Sequence, residues 1–117
     1  MKIAFPTNGT NLNAELFLHF GKSKNYLIYD TDTKDFEIKL NTSEHMWGKW
    51  LPPELIKKFG AQVIIVCELW PKALELFNKL NIEVYCAKSW IIGDIIDLFN
   101  DQKILKANSD MVCDSYK

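Results

Sequence analysis

The chain has 117 residues, of which 48% are hydrophobic, so it can bury the core of one domain without disulfides or metals as supports. Its 14 basic and 15 acidic residues leave a net charge of -1 and are interspersed, so the basic face typical of a nucleic-acid-binding protein is not expected. No segment approaches the roughly 18 apolar residues of a membrane span, and the N-terminus has no signal-peptide pattern. We therefore expect a cytoplasmic protein with neither a membrane nor a nucleic acid as its partner.

The first half of the chain predicts a strand, a short helix and an antiparallel pair of strands. Residues 2–7 form an apolar run that ends before the turn-forming pair Asn8 and Gly9, which indicates a buried first strand. Residues 13–20 predict a short helix. Residues 26–30 are apolar, and residues 36–40 alternate apolar and charged side chains, so these two segments predict a hairpin.

The second half alternates helices and strands, which predicts parallel β-α-β crossovers. Helices are predicted to begin at Pro52, at Pro71 and near Ile91, with strands at residues 63–66 and 82–86 between them. Periodicity is lost from about residue 107 onward. We therefore expect a single α/β domain over residues 1–106 and a loosely ordered tail over residues 107–117 that contains Cys113.

The simplest sheet for this order of elements is five-stranded and mixed, with strand order 3-2-1-4-5 and only strand 2 reversed. Strands 1, 3, 4 and 5 then point the same way, and the segments that follow them meet at one carboxyl edge, where open α/β sheets bind ligands. That edge is predicted to gather both histidines, two cysteines and all four tryptophans: His19, His45, Cys67, Cys86, Trp47, Trp50, Trp70 and Trp90.

Two thiolates and two imidazoles can ligate zinc, copper or iron-sulfur species, and indole rings can shield a cluster from water. The predicted metal ligands are His19, His45, Cys67 and Cys86, and the predicted pocket adds the four tryptophans and Asn8. The helices that begin at this edge are also expected to direct free N–H groups toward an anion. Three cysteines without a C-x-x-C spacing favour thiols or ligands over a disulfide framework.

Each of these residues also has an ordinary structural interpretation. Cys67 and Cys86 end buried strands, where cysteine commonly acts as a small apolar filler. His19 can cap the turn at Gly21 or pair with Glu15. His45 can simply be exposed in its loop, and the tryptophans can be ordinary rim packing.

The sequence resembles the dinitrogenase iron-molybdenum cofactor biosynthesis family. The resemblance rests on the first six residues, on His19-Phe20-Gly21-Lys22 where the family usually has His-Phe-Gly-Arg, and on Pro71-Lys72-Ala73. It implies a three-layer ribonuclease-H-like fold and a role in carrying or assembling iron-, molybdenum- or copper-containing sulfide clusters. It also implies that His19 is a cluster contact.

The chain departs from the family pattern at the predicted edge. Relatives typically have glycine-rich loops where this chain has Trp50, Trp70 and Trp90, and glycine or an aliphatic residue where it has Cys67 and Cys86. Either the ancestral pocket has been filled, or it has been rebuilt to bind a cluster through thiolates. The proximity of cysteines and indoles favours rebuilding.

The sequence favours a carrier or scaffold over an enzyme. The first strand lacks the carboxylate that a ribonuclease-H-like nuclease needs for magnesium, and no catalytic motif of another class is present. The alternatives are a mononuclear metal site and a metal-free interaction module that docks a partner through the tryptophans. The expected partners are the cluster and a cluster donor or acceptor protein, for a monomer or weak homodimer.

Overall fold

The computed structural model describes residues 1–42 and 51–107. These residues form one six-stranded sheet and three helices. In chain order the elements are β1 (Lys2–Thr7), β2 (Asn25–Asp30), β3 (Phe36–Leu40), α1 (Pro52–Lys58), β4 (Val63–Val66), α2 (Pro71–Lys79), β5 (Glu83–Cys86), α3 (Ile92–Asn100) and β6 (Leu105–Lys106).

The sheet has the predicted order, with one strand added at an edge. Its strands run β3-β2-β1-β4-β5-β6. Strand β1 pairs in parallel with β4, and β4 with β5, whereas β2 is antiparallel to both β1 and β3. The two-residue strand β6 pairs antiparallel to β5 and was not predicted, because two residues are too few to show alternation. Both the strand order and the reversal of strand 2 are confirmed.

The core lies on both faces of the sheet because successive side chains of a buried strand point to opposite sides. On β4, Ile64 and Val66 face the cluster that includes Leu55 of α1 and the buried residues of α2. Val63 and Ile65 face the cluster that includes Leu16 and the buried residues of α3. The result is three layers, with helices on either side of a mixed sheet, which is compatible with the ribonuclease-H-like architecture implied by the resemblance.

The predicted helix over residues 13–20 is wrong. This stretch is a loop with isolated β-bridges that join Glu15 to Ile91 and His19 to Glu68. The N–H of Leu16 donates to the carbonyl of Trp90 at 3.0 Å, which replaces an intrahelical hydrogen bond by a long-range one. An eight-residue helix is marginal by itself, so tertiary pairing decides its conformation.

The core contains a tyrosine hydroxyl with no hydrogen-bond partner. Tyr26 is fully buried, with its ring between those of Phe20 and Phe59, at centroid distances of 6.3 and 6.4 Å. Burial raises the pKa of Tyr26, because the phenolate would lose its hydration. The hydroxyl therefore adds a desolvation cost without a compensating hydrogen bond.

We expect Tyr26→Phe to leave the free energy of unfolding unchanged or to raise it by up to about 1 kcal/mol, measured by urea denaturation at neutral pH. The wild type should lose stability as pH rises above about 10, where the unfolded tyrosine ionises and the folded one does not, and the variant should lose less. For the measurement at neutral pH, Tyr85→Phe, which removes a partly exposed hydroxyl bonded to Glu83, is the control. A loss above about 1 kcal/mol in Tyr26→Phe would show that the hydroxyl is hydrogen-bonded.

Candidate functional site

The carboxyl edge of the sheet contains a cavity of about 480 Å³ formed by the segments after β1 and β5. The wall consists of the end of β1, two stretches of the β1–β2 loop and a residue that follows β5. These lining residues are Thr7, Asn8, Gly9, Ala14, Glu15, Leu16, Phe17, Leu18 and Ser89. The cavity therefore lies where the topology predicts a ligand site, and it includes the predicted pocket residue Asn8.

The start of the loop is fixed by the last residue of β1. The Thr7 hydroxyl donates to the carbonyl of Glu15 at 2.8 Å and accepts the N–H of Gly9 at 3.1 Å. A Cβ at Gly9 would overlap the Cβ of Ala14, so the close approach of these two stretches requires glycine. Both residues line the cavity, so this contact helps to form its wall.

Three asparagine side chains fix the rest of the loop. Asn8 accepts the N–H of Lys24 at 2.8 Å, and Asn25 donates to the carbonyl of Gly9 at 3.2 Å. The buried amide of Asn41 donates to the carbonyls of Gly21 and Ser23 at 3.0 and 2.8 Å. Amides suit this role because one side chain can satisfy several backbone groups. The segment that contains His19 is therefore held at both ends.

His19 lies beside the cavity and pairs with Glu68, the second residue after β4. Its Nδ1 is 2.9 Å from a carboxylate oxygen of Glu68, and its ring meets that of Phe17 edge-on at a centroid distance of 6.3 Å. Phe17 lines the cavity. His19 therefore pairs with Glu68 and not with Glu15, the partner suggested by the sequence. Sequence reasoning missed Glu68 because no local pattern links residues that meet only through strand topology.

Cys67 and Cys86 lie on opposite faces of the sheet, so the prediction that they share one pocket is wrong. Cys86 pairs with Val66 across β4 and β5 and packs in the cluster that contains α1 and α2 residues. Cys67 is the next residue after Val66, so it turns to the α3 side. The prediction rested on where the strands end and did not include the alternation of side chains between the two faces of the sheet.

The environments of the two cysteines also differ. Cys86 is fully buried in the core. Cys67 is reduced and partly buried, and the Ser89 hydroxyl donates to its sulfur at 3.9 Å. Because Ser89 lines the cavity, the Cys67 thiol contacts a residue of its wall.

The remaining predicted residues divide into two groups. Trp70 and Trp90 are 49% and 37% exposed, and Trp70 lines a separate apolar groove with residues of α1 and α2. His45, Trp47 and Trp50 lie outside the described residues. Within residues 1–42 and 51–107, no three His, Cys, Asp or Glu side chains are grouped to hold a metal ion.

The first N–H groups of α3 donate hydrogen bonds to backbone carbonyls of the protein. The first two N–H groups of this helix, at Ile92 and Gly93, donate to the carbonyls of Ala14 and Leu12 at 2.9 Å each. Helix α1 begins with Pro52 and Pro53, which have no N–H. The first two positions of these helices therefore offer no free N–H group to an anion, in contrast to the expectation.

A family model described as dinitrogenase iron-molybdenum cofactor matches residues 1–102. The chain belongs to the dinitrogenase iron-molybdenum cofactor family. An uncharacterized protein of Methanocaldococcus jannaschii is 34% identical to this chain over 111 residues, which cover 91% of each chain.

Solved structures share the fold of this family member. The apo form of the orange protein from Desulfovibrio gigas superposes with a TM-score of 0.81 at 19% identity, over 91% of this chain and 92% of that one. A NifB-like protein from Thermotoga gives a TM-score of 0.73 at 19% identity, over 90% and 91%. Within the described ranges, none of the helices has the length and apolar character needed to cross a bilayer.

Gly9→Ala should disrupt the cavity, because the added methyl meets Ala14 and forces the loop apart. We expect a loss of about 1–3 kcal/mol in the free energy of unfolding, measured by urea denaturation. Gly93→Ala is the matched control: its added Cβ would lie 3.4 Å from the carbonyl oxygen of Leu12, within ordinary contact, and alanine favours the helix. Equal stability of the two variants would contradict the close contact at Gly9.

Proposed function

We propose that this protein binds, and carries or scaffolds, an anionic metal-sulfur cluster of iron with molybdenum or copper at the carboxyl edge of its sheet, without catalysing a reaction. Membership of the dinitrogenase iron-molybdenum cofactor family supports a role linked to a metal cluster. The observation that carries the proposal is the placement of an imidazole and a thiol beside one cavity, through Phe17 and Ser89 of its wall.

The size and accessibility of the cavity suit this cargo. Its volume of about 480 Å³ lies within the roughly 300–1,000 Å³ typical of cofactor and small-molecule sites. His19 is half-exposed, so a bound cluster can reach it from solvent and leave again. A cargo protein needs such access, whereas a permanently bound cofactor is usually enclosed.

The two side chains offer complementary ligand chemistry. Imidazole nitrogen binds iron and copper, and thiolate sulfur binds the softer metals of sulfide clusters. Cys67 is partly buried against the α3 side and hydrogen-bonded to Ser89, so ligation by Cys67 requires a small movement of the wall residue. His45 remains a predicted ligand, whereas Cys86 is buried on the other face of the sheet.

The apolar groove beside Trp70 supports a second function, docking of a partner protein. It has a volume of about 370 Å³ and is lined by residues that include Phe20, which follows His19 directly. Exposed tryptophan beside an apolar groove is typical of binding hot spots. A cluster donor or acceptor that docks there would lie next to the segment that contains His19, so docking complements cluster binding.

Anaerobic purification should yield protein that contains iron, molybdenum or copper together with acid-labile sulfide, and that absorbs visible light. For apo protein we would titrate ferrous ion, molybdate and sulfide under anaerobic conditions. His19→Asn should weaken cluster loading by tenfold or more, because it removes one ligand. Cys67→Ser removes the other ligand, and its loading should be lower than that of His19→Asn. Metal and sulfide analysis and the absorption spectrum measure both effects.

Lys57→Asn is the control, because this exposed side chain is in the last turn of α1, at the far end of the helix from the carboxyl edge. It should load the cluster as the wild type does. Equal loading by wild type, His19→Asn and Cys67→Ser would overturn the proposed site. Protein that binds metal without any sulfide would instead support the mononuclear alternative.

A further inference from the structure

The carboxylate of Glu68 lies within hydrogen-bond distance of one ring nitrogen of His19. We propose that Glu68 is a positioning residue that fixes the tautomer and ring orientation of His19, so that Nε2 is the atom that binds the metal of the cargo. This inference rests on the proposed function and extends it to the class of cluster that the site accepts.

The geometry constrains both partners of the pair. Nδ1 of His19 lies 2.9 Å from Oε2 of Glu68, the length of a charge-assisted hydrogen bond. The backbones are also joined, because the N–H of Glu68 donates to the carbonyl of Leu18 at 3.1 Å within a parallel β-bridge. The edge-on contact with Phe17, at an interplanar angle of 72°, restrains the ring from a second direction.

This arrangement assigns different roles to the two ring nitrogens. A neutral imidazole that donates from Nδ1 to a carboxylate keeps its lone pair on Nε2. Metal-binding histidines typically have such a carboxylate partner, which fixes the tautomer and makes the ligating nitrogen more basic. Nε2 is therefore the nitrogen of His19 prepared for a metal.

The availability of Nε2 of His19 also limits which clusters can bind at this site. In the tautomer that donates from Nδ1, Nε2 offers a lone pair and no proton, so it binds a metal and cannot donate a hydrogen bond to sulfide. The cluster that His19 accepts must therefore present a metal with an exchangeable coordination position. A cluster whose metals are fully saturated by sulfide would not bind through this nitrogen.

The pair is not required for the stability of the fold. His19 is 52% exposed and Glu68 31%, and exposed ion pairs typically contribute only about 0–1 kcal/mol. Glu68→Ala and Glu68→Gln should therefore fold, and their effects on loading can be separated from unfolding. Glu75→Gln, on the exposed side of α2, is the matched control.

The tautomer of His19 can be measured without any cargo, by ¹⁵N NMR of the full chain at about pH 8, with the signals assigned through His19→Asn. We expect the wild type to show mainly the Nδ1–H form. Glu68→Ala should convert it to a mixture, and Glu68→Gln, which keeps an oxygen acceptor, should lie between the two. Titration with ferrous ion, molybdate and sulfide should then show loading weakened about tenfold in Glu68→Ala and unchanged in Glu75→Gln.

The outcomes distinguish this inference from the proposed function. If Glu68→Ala leaves the tautomer unchanged, or changes it without weakening loading while His19→Asn does weaken loading, the role of Glu68 is overturned and the cluster site stands. If His19→Asn itself loads as the wild type does, the proposed function fails, and the role of Glu68 in cargo binding fails with it. Loss of loading in Glu68→Ala with intermediate loading in Glu68→Gln supports the inference.

Discussion

The site depends on backbone pairing between the β1–β2 loop and the segments that follow β4 and β5. Leu16 bonds to the carbonyl of Trp90, the carbonyl of Ala14 accepts from Ile92, and the carbonyl of Leu18 accepts from Glu68. These bonds draw a loop with no helix of its own across the carboxyl edge of the sheet. They close the cavity, cap α3 and bring His19 to Glu68. Without them the histidine would be an exposed side chain in a long connection.

Alternation of side chains along the strands determines which residues can act together. Because Cys86 lies in register with Val66 and Cys67 follows Val66, the two sulfurs belong to different faces of the sheet. Cys67 alone is left on the side of the cavity, near Ser89. Within the described residues, the proposed site has one imidazole and one thiol, fewer than the four ligands of a structural zinc site. In the proposed role, such a site suits a cargo that already has most of its own ligands.

In the proposed carrier role, a restrained ligand at an exposed position is useful. A cargo that must be passed on cannot be enclosed, yet a freely rotating histidine would lose conformational entropy whenever it bound. The hydrogen bond to Glu68 and the ring of Phe17 reduce that loss before the cargo arrives. The apolar groove beside Trp70 places a surface for a partner next to Phe20, which follows the histidine in the chain.

Much of this architecture was determined by the sequence alone. The strand β1, the hairpin of β2 and β3, the helices that begin at Pro52 and Pro71, the strand order and the carboxyl edge all follow from local hydrophobic periodicity, proline positions and the handedness of crossovers. The His-Phe-Gly motif also indicated the family and His19. Only the tertiary structure decided that residues 13–20 form no helix, that Cys67 and Cys86 point apart, and that Glu68 is the partner of His19. Each of these depends on contacts between residues that are distant in sequence. Pairing across the sheet sets the register of these residues and the face on which each side chain lies, and it leaves no periodic pattern in the local sequence.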